Sequence, residues 1–157
     1  DDEIDKFYDR AAEFWTLVGQ HFPAVQNLLD SEPSEGIAGN YRNSQGGHLL
    51  FRPIGLLLAA KIVYYLMDDG ASPAEAVQLI SDVPMEISEK PWAGLLWDPR
   101  NNRMITAQES QKVARWLLFY GVGGSLSKFH KTLQDVKEEY AGMLNVDPQK
   151  VEIRRYE

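Results

Sequence analysis

The chain has 157 residues, 44% hydrophobic, 11% aromatic and 25% charged. That length suits one domain, since chains split only beyond roughly 250–300 residues, and the composition excludes both a disordered tract and a membrane-embedded protein. With no cysteine, disulfides, thiolate nucleophiles and cysteine-ligated zinc or iron–sulfur centres are excluded; nothing calls for an oxidising compartment, and a cytoplasmic location is expected. The opening Asp1-Asp2-Glu3, without Met or a basic, apolar leader, reads as the start of a fragment of a longer protein.

The net charge of −7 is unevenly placed. Residues 1–35 hold nine acids against Lys6 and Arg10, whereas the window from Arg100 to Lys131 holds six bases and one acid, Glu109. An acidic chain with a local basic window can present a basic face without being a general polyanion binder.

Ile4, Phe7, Tyr8, Ala11, Phe14, Trp15 and Val18 fall on one helical stripe, with acids in the first turn where the helix dipole favours them. A break near residues 19–22 is expected, followed by a helix opened at Pro23 and carrying Val25, Leu28 and Leu29. Residues 30–47 hold four Gly and one Pro among polar residues and read as a long surface loop. Leu49 to Phe51 reads as a short strand leading into a helix from Pro53 to Met67, apolar on nearly every side and expected to be the buried central element. Arg52 and Lys61 leave only eight uncharged residues between them, against the ~20 that a membrane span needs.

Ser72-Pro73-Ala74-Glu75 is a capping box opening a helix to about Ile80. Leu95–Trp97 and Met104–Ile105 flank the turn formers Asp98 to Arg103, as in a small hairpin. Thr106-Ala107-Gln108-Glu109 is a second capping box, opening a helix that carries Val113, Trp116, Leu117 and Tyr120 and ends at Gly121. Ser127 is the expected cap of a last helix with Phe129, Leu133, Val136, Tyr140 and Leu144 as its core stripe. The expected fold is mainly α, a compact domain of about five to six helices around the buried central one, with at most a small β-hairpin.

Chemistry-bearing motifs are scarce. His21, His48 and His130 have no second ligand at metal spacing, and neither the cluster Asp30, Glu32, Glu35 nor the pair Asp68, Asp69 forms a calcium loop. Gly121-Val122-Gly123-Gly124-Ser125 follows a helix and lacks the phosphate-binding lysine, so it reads as a helix stop and turn. No nucleophile motif is present. No catalytic set, metal or cofactor is expected of this segment.

Two clusters remain as candidate binding residues. His48 beside Gly46-Gly47, with Arg52 just before the apolar helix, is either a satisfied turn or a small anion site, since guanidinium suits phosphate. The bases Arg100, Arg103, Lys112, Arg115, Lys128 and Lys131 sit on a turn and two adjacent helices, where they form either an ordinary solvated face or a track for nucleic-acid phosphates. Trp116, Phe119 and Phe129 have core spacing and are read as packing rather than base-stacking groups.

The segment Tyr41-Arg42-Asn43-Ser44-Gln45-Gly46-Gly47-His48-Leu49-Leu50-Phe51-Arg52-Pro53-Ile54-Gly55 resembles a block near the C-terminal end of DGQHR-domain proteins, a group that includes the DndB-like proteins of DNA phosphorothioation clusters. Phe14-Trp15 and Phe22-Pro23 before it, and Gly94 to Ile105 after it, are similar in kind. The resemblance implies a C-terminal domain of a parent protein concerned with DNA modification or its transcriptional control. The DGQHR motif itself is absent; Gly19-Gln20-His21 shares three of its letters, without the Asp and Arg. Gly46, Gly47, His48, Arg52, Pro53 and Gly55 carry over, with Arg42 beside them. The first expectation is therefore a non-catalytic domain that helps its parent hold DNA through the basic window, with Arg42, His48 and Arg52 as a second contact. The alternative is an assembly module that binds itself or other DNA-modification proteins through the acidic N-terminal helix and the long loop, with no DNA affinity of its own and no membrane association.

Overall fold

The computed structural model describes residues 2–156. Seven α-helices, four short 3-10 turns and one two-stranded antiparallel hairpin make up the described chain. The mainly α class is as the sequence implies. The helix number exceeds the five to six expected because one short helix, α3, forms inside the segment read as a loop.

Helix α1 (Asp2–His21) runs to the expected break, where Phe22 is extended and Pro23 starts α2 (Pro23–Leu29). Its far end buries Val18 and half-buries Phe14 and Leu17 against α2 and α5. Residues 2–13 are exposed all round. The first half of the apolar stripe therefore projects past the body as an arm instead of entering the core.

Residues 30–47 are less irregular than expected. Pro33 sets up a 3-10 turn (Pro33–Glu35) closed by Gly36 at φ 65, and α3 (Ala38–Tyr41) follows. Leu49–Phe51 is a 3-10 turn and not a strand. The His48 Nδ1 accepts the Leu50 N–H and the His48 carbonyl accepts the Phe51 N–H, so two of the segment's three N–H groups bond locally, where a strand would need a neighbour. A single bridge to Glu86 is all the β pairing it makes.

Helix α4 (Pro53–Asp68) packs Gly55, Leu58, Ala59, Ile62, Val63 and Leu66 among α5, α6 and the 49–51 turn. One stripe stays open, with Leu57, Lys61, Tyr64 and Met67 exposed. Helix α5 (Pro73–Ser81) has the anticipated reciprocal cap between Ser72 and Glu75. Residues 82–96 have no helix or strand, yet they bury Val83, Ile87, Trp92, Leu95 and Leu96. Trp92 makes this possible by donating its indole N–H to the Pro84 carbonyl at 2.7 Å.

The hairpin pairs β1 (Trp97–Asp98) with β2 (Arg103–Met104), Trp97 opposite Met104. Helix α6 (Gln108–Gly121) is the core of the C-terminal half and buries Val113, Trp116, Leu117, Leu118 and Phe119. It starts at Ala107 without a side-chain cap, so the Thr106 box does not form. Ser127 does not cap the last helix either. It lies in a 3-10 turn (Leu126–Phe129) ended by His130 in the left-handed region, and its hydroxyl pairs with that of Ser125. Thr132 and Asp135 form the reciprocal box that opens α7 (Leu133–Leu144), which leaves Phe129 outside that helix.

The buried residues form one hydrophobic cluster reaching from Val18 to Val151. No helix of the described residues is long and apolar enough to cross a membrane.

Candidate functional site

Arg42, Gly46, Gly47, His48 and Arg52 do come together, at the junction where the α3 loop feeds α4. Gly46 has φ 131 and Gly47 φ 94, a region that side-chain-bearing residues rarely adopt. A Cβ on Gly47 would run into the Tyr41 carbonyl, and one on Gly46 would sit 2.8 Å from Glu86 Oε1. This closeness lets the chain zip against residues 85–88. Leu49 N–H donates to Met85 O, Ile87 N–H to Gly47 O, and Gly47 N–H to Glu86 Oε1 at 2.9 Å. Ser88 donates both its N–H and its hydroxyl to the same Glu86 oxygen.

Arg52 is committed inward. Its Nη2 donates to the carbonyls of Asn43 at 2.8 Å and Gly46 at 2.6 Å, and its guanidinium lies 5.2 Å from the centre of the buried Trp97 ring. Burial, followed by the positive charge of Arg42, pulls it below the usual guanidinium value, an effect that Glu86 opposes. The two backbone carbonyls take up Nη2, while the buried Nε has no hydrogen-bond partner among the described residues. His48 is held edge-on among Phe22, Tyr41 and Phe51. Burial lowers its pKa from 6.5, more than the Glu86 carboxylate raises it, so it is a neutral ring accepting a backbone hydrogen bond. The geometry is that of a structural lock.

Folding brings carboxylates to four of the six bases of the window. Lys128 sits 2.8 Å from both Asp68 and Asp69 at the end of α4, and their hydrogen bonds drive its pKa upward. Lys131 is 2.8 Å from Glu139, which raises its pKa too. Lys112 pairs with Glu109 at 2.6 Å, and Arg103 lies 3.8 Å from Asp98. Lys112 and Lys131 also flank the buried Trp116 ring, at 5.5 and 4.8 Å from its centre. Among the described residues, only Arg100 and Arg115 of the six make no ion pair. The neutralising acids come mostly from outside residues 100–131, so charge counted along the chain overstated the charge of the face.

The aromatic residues behave as packing groups, as expected. Phe119, Phe129 and Tyr65 form a mutual edge-to-face cluster with ring centres 5.4–5.8 Å apart, and Trp116 is buried. The Gly121–Ser125 segment is a helix stop, with Gly123 at φ 97. No group of three or more His, Cys, Asp or Glu side chains among the described residues could hold a metal ion. Sequence reasoning passed over residues 82–93, which supply Glu86 to the junction. A lone Trp between Pro84, Pro91 and a glycine at 94 was the one signal of a packed irregular segment.

Compared with family models, curated proteins and solved structures, the chain matches none.

Proposed function

We propose that this domain is a non-catalytic assembly module whose α1 arm seats on a second copy of the chain. One observation carries the reading: Ile4, Phe7 and Tyr8 are 70%, 68% and 74% exposed on a regular helix. Apolar residues this large, aligned on one face, mark an interaction surface. The arm is acid-flanked, with six acids against two bases over residues 1–13. The α4 stripe is its chemical complement, since Leu57 and Tyr64 are 54% and 66% exposed beside Lys61, with Arg115 across a shallow groove between α4 and α6. Neither cation has a carboxylate within ion-pair distance among the described residues. The chain thus carries both halves of one apolar, charge-matched contact, and two copies satisfy each other. Arms paired with arms would set like charge against like.

Sedimentation equilibrium tests this. A dimer is expected, converted to monomer by Phe7→Glu with Tyr8→Glu and also by Lys61→Glu with Arg115→Glu. A monomer at every concentration, or a dimer indifferent to both pairs of substitutions, overturns the reading.

A second reading follows from Arg100 and Arg115, whose charge no carboxylate offsets among the described residues. In it the domain helps a DGQHR or DndB-like parent hold DNA in the cytoplasm, as the junction block's resemblance implies. Fluorescence anisotropy with duplex DNA checks it: two phosphate contacts give a log–log salt slope near about −1.8. Flat or absent binding at low salt removes this reading and leaves the first intact.

A further inference from the structure

A cavity of about 340 Å³ lies between residues 84–92, α6, α7 and the extended segment 151–156. That volume is within the roughly 300–1,000 Å³ of small-molecule sites. Its floor is apolar, with Trp92, Leu117, Leu118 and Val151 buried around it and Ile153 half-buried. The Tyr140 hydroxyl on the wall donates to the Pro91 carbonyl at 3.0 Å, and burial pushes its pKa up to about 12, so it adds no negative charge.

The charged lining has one sign in excess. Lys90, Lys150 and Arg154 stand against Glu152, three bases less one acid, or +2 on a chain whose net charge is −7. Glu152 is spent on Arg154 at 3.1 Å, and Lys90 and Lys150 have no carboxylate within reach among the described residues. The segment that closes the wall is tied by Tyr156 N–H to the Gly121 carbonyl at 2.7 Å and by Arg155 stacked 4.1 Å from the Tyr120 ring. An apolar floor with cations at its rim matches a ligand with an apolar body and one anionic end.

We infer that this cavity binds a small amphipathic carboxylate, its alkyl or aryl body on Leu144, Val151 and Ile153 above the buried Trp92, and its carboxylate at the mouth with Lys90 and Lys150. Isothermal titration of the whole chain with decanoate, decanol and acetate tests it, followed in parallel by the NMR signal of the Trp92 indole N–H. Decanoate is expected to bind and to shift that signal, while acetate does neither. Lys90→Glu with Lys150→Glu, at two exposed positions that leave the core untouched, should weaken decanoate by about tenfold or more and leave decanol unchanged. Ile153→Trp should block both by filling the cavity. No decanoate binding, equal binding of decanoate and decanol, or decanoate binding unmoved by Ile153→Trp overturns the inference. None of these variants touches the arm or the α4 stripe, so the oligomeric state is an independent readout.

Discussion

The arm and the α4 junction are opposites. The arm, residues 2–13, has the clearest helical periodicity in the chain and touches almost nothing; the junction, residues 41–55, has no periodicity and ties the α3 loop to the segment at 85–88. Periodicity reports that a helix has an apolar face, not what covers that face. Glycines and one arginine report the reverse: a place where backbones come too close for ordinary side chains and their polar groups need a donor.

If that contrast is right, substitutions should cost stability in the junction and association in the arm. Gly47→Ala is expected to be the most damaging, because a left-handed backbone costs about 1–3 kcal/mol with a side chain present and the new Cβ also meets the Tyr41 carbonyl. Gly39→Ala, where nothing lies near, is its control and should be neutral or slightly stabilising in urea unfolding. Arg52→Met comes next, at about 1.5–3 kcal/mol for the loss of charge-assisted hydrogen bonds to two carbonyls. An Arg52→Met variant as stable as the parent would show the lock to be elsewhere.

The His48 effect is smaller and depends on pH. Its folded pKa lies below the ordinary 6.5, so the unfolded chain takes up the proton first as pH falls. Stability from this group is complete above pH 6.5 and is lost as pH drops below it, towards the lowered folded value. Carboxylates titrate lower still, and the difference between the parent and His48→Gln isolates the histidine: the variant's thermal midpoint should be flatter between pH 7 and 5, a range taken from the roughly 6.5 histidine pKa. Smallest of all is Phe7→Ser in the arm, expected to change monomer stability by no more than about 0.5 kcal/mol, as exposed sites usually do. A large loss there would mean that the arm packs on its own body.

A second contrast concerns charge. The basic window is continuous along the chain and largely neutralised in space; the cavity mouth draws Lys90 and Lys150 from distant positions and leaves both without a carboxylate partner among the described residues. Reading the window correctly required knowing that Asp68 and Asp69, some sixty residues away, close on Lys128. The Ser72 cap was legible because both partners lie within one turn, yet the same letters at Thr106 form no cap. There the Thr106 carbonyl accepts from Gln111 while Ala107 takes the cap position, and nothing local distinguishes the two cases.

By itself the sequence determined the helical class, the breaks at Phe22 and Gly121, the turn at Asp98 to Arg103, and the absence of cysteine chemistry. These depend on backbone preferences and side-chain spacing within a few residues, which act before any tertiary contact forms. Tertiary structure alone decided that half of α1 stands free, that Arg52 faces carbonyls, that four of six window bases are paired, and that an apolar cavity forms under residues 151–156. The Lys128 pairs and the cavity are meetings between segments distant in the chain, and even the shorter-range pairs depend on how the backbone turns; burial and Coulomb energy depend on distance in space, which the order of residues does not contain.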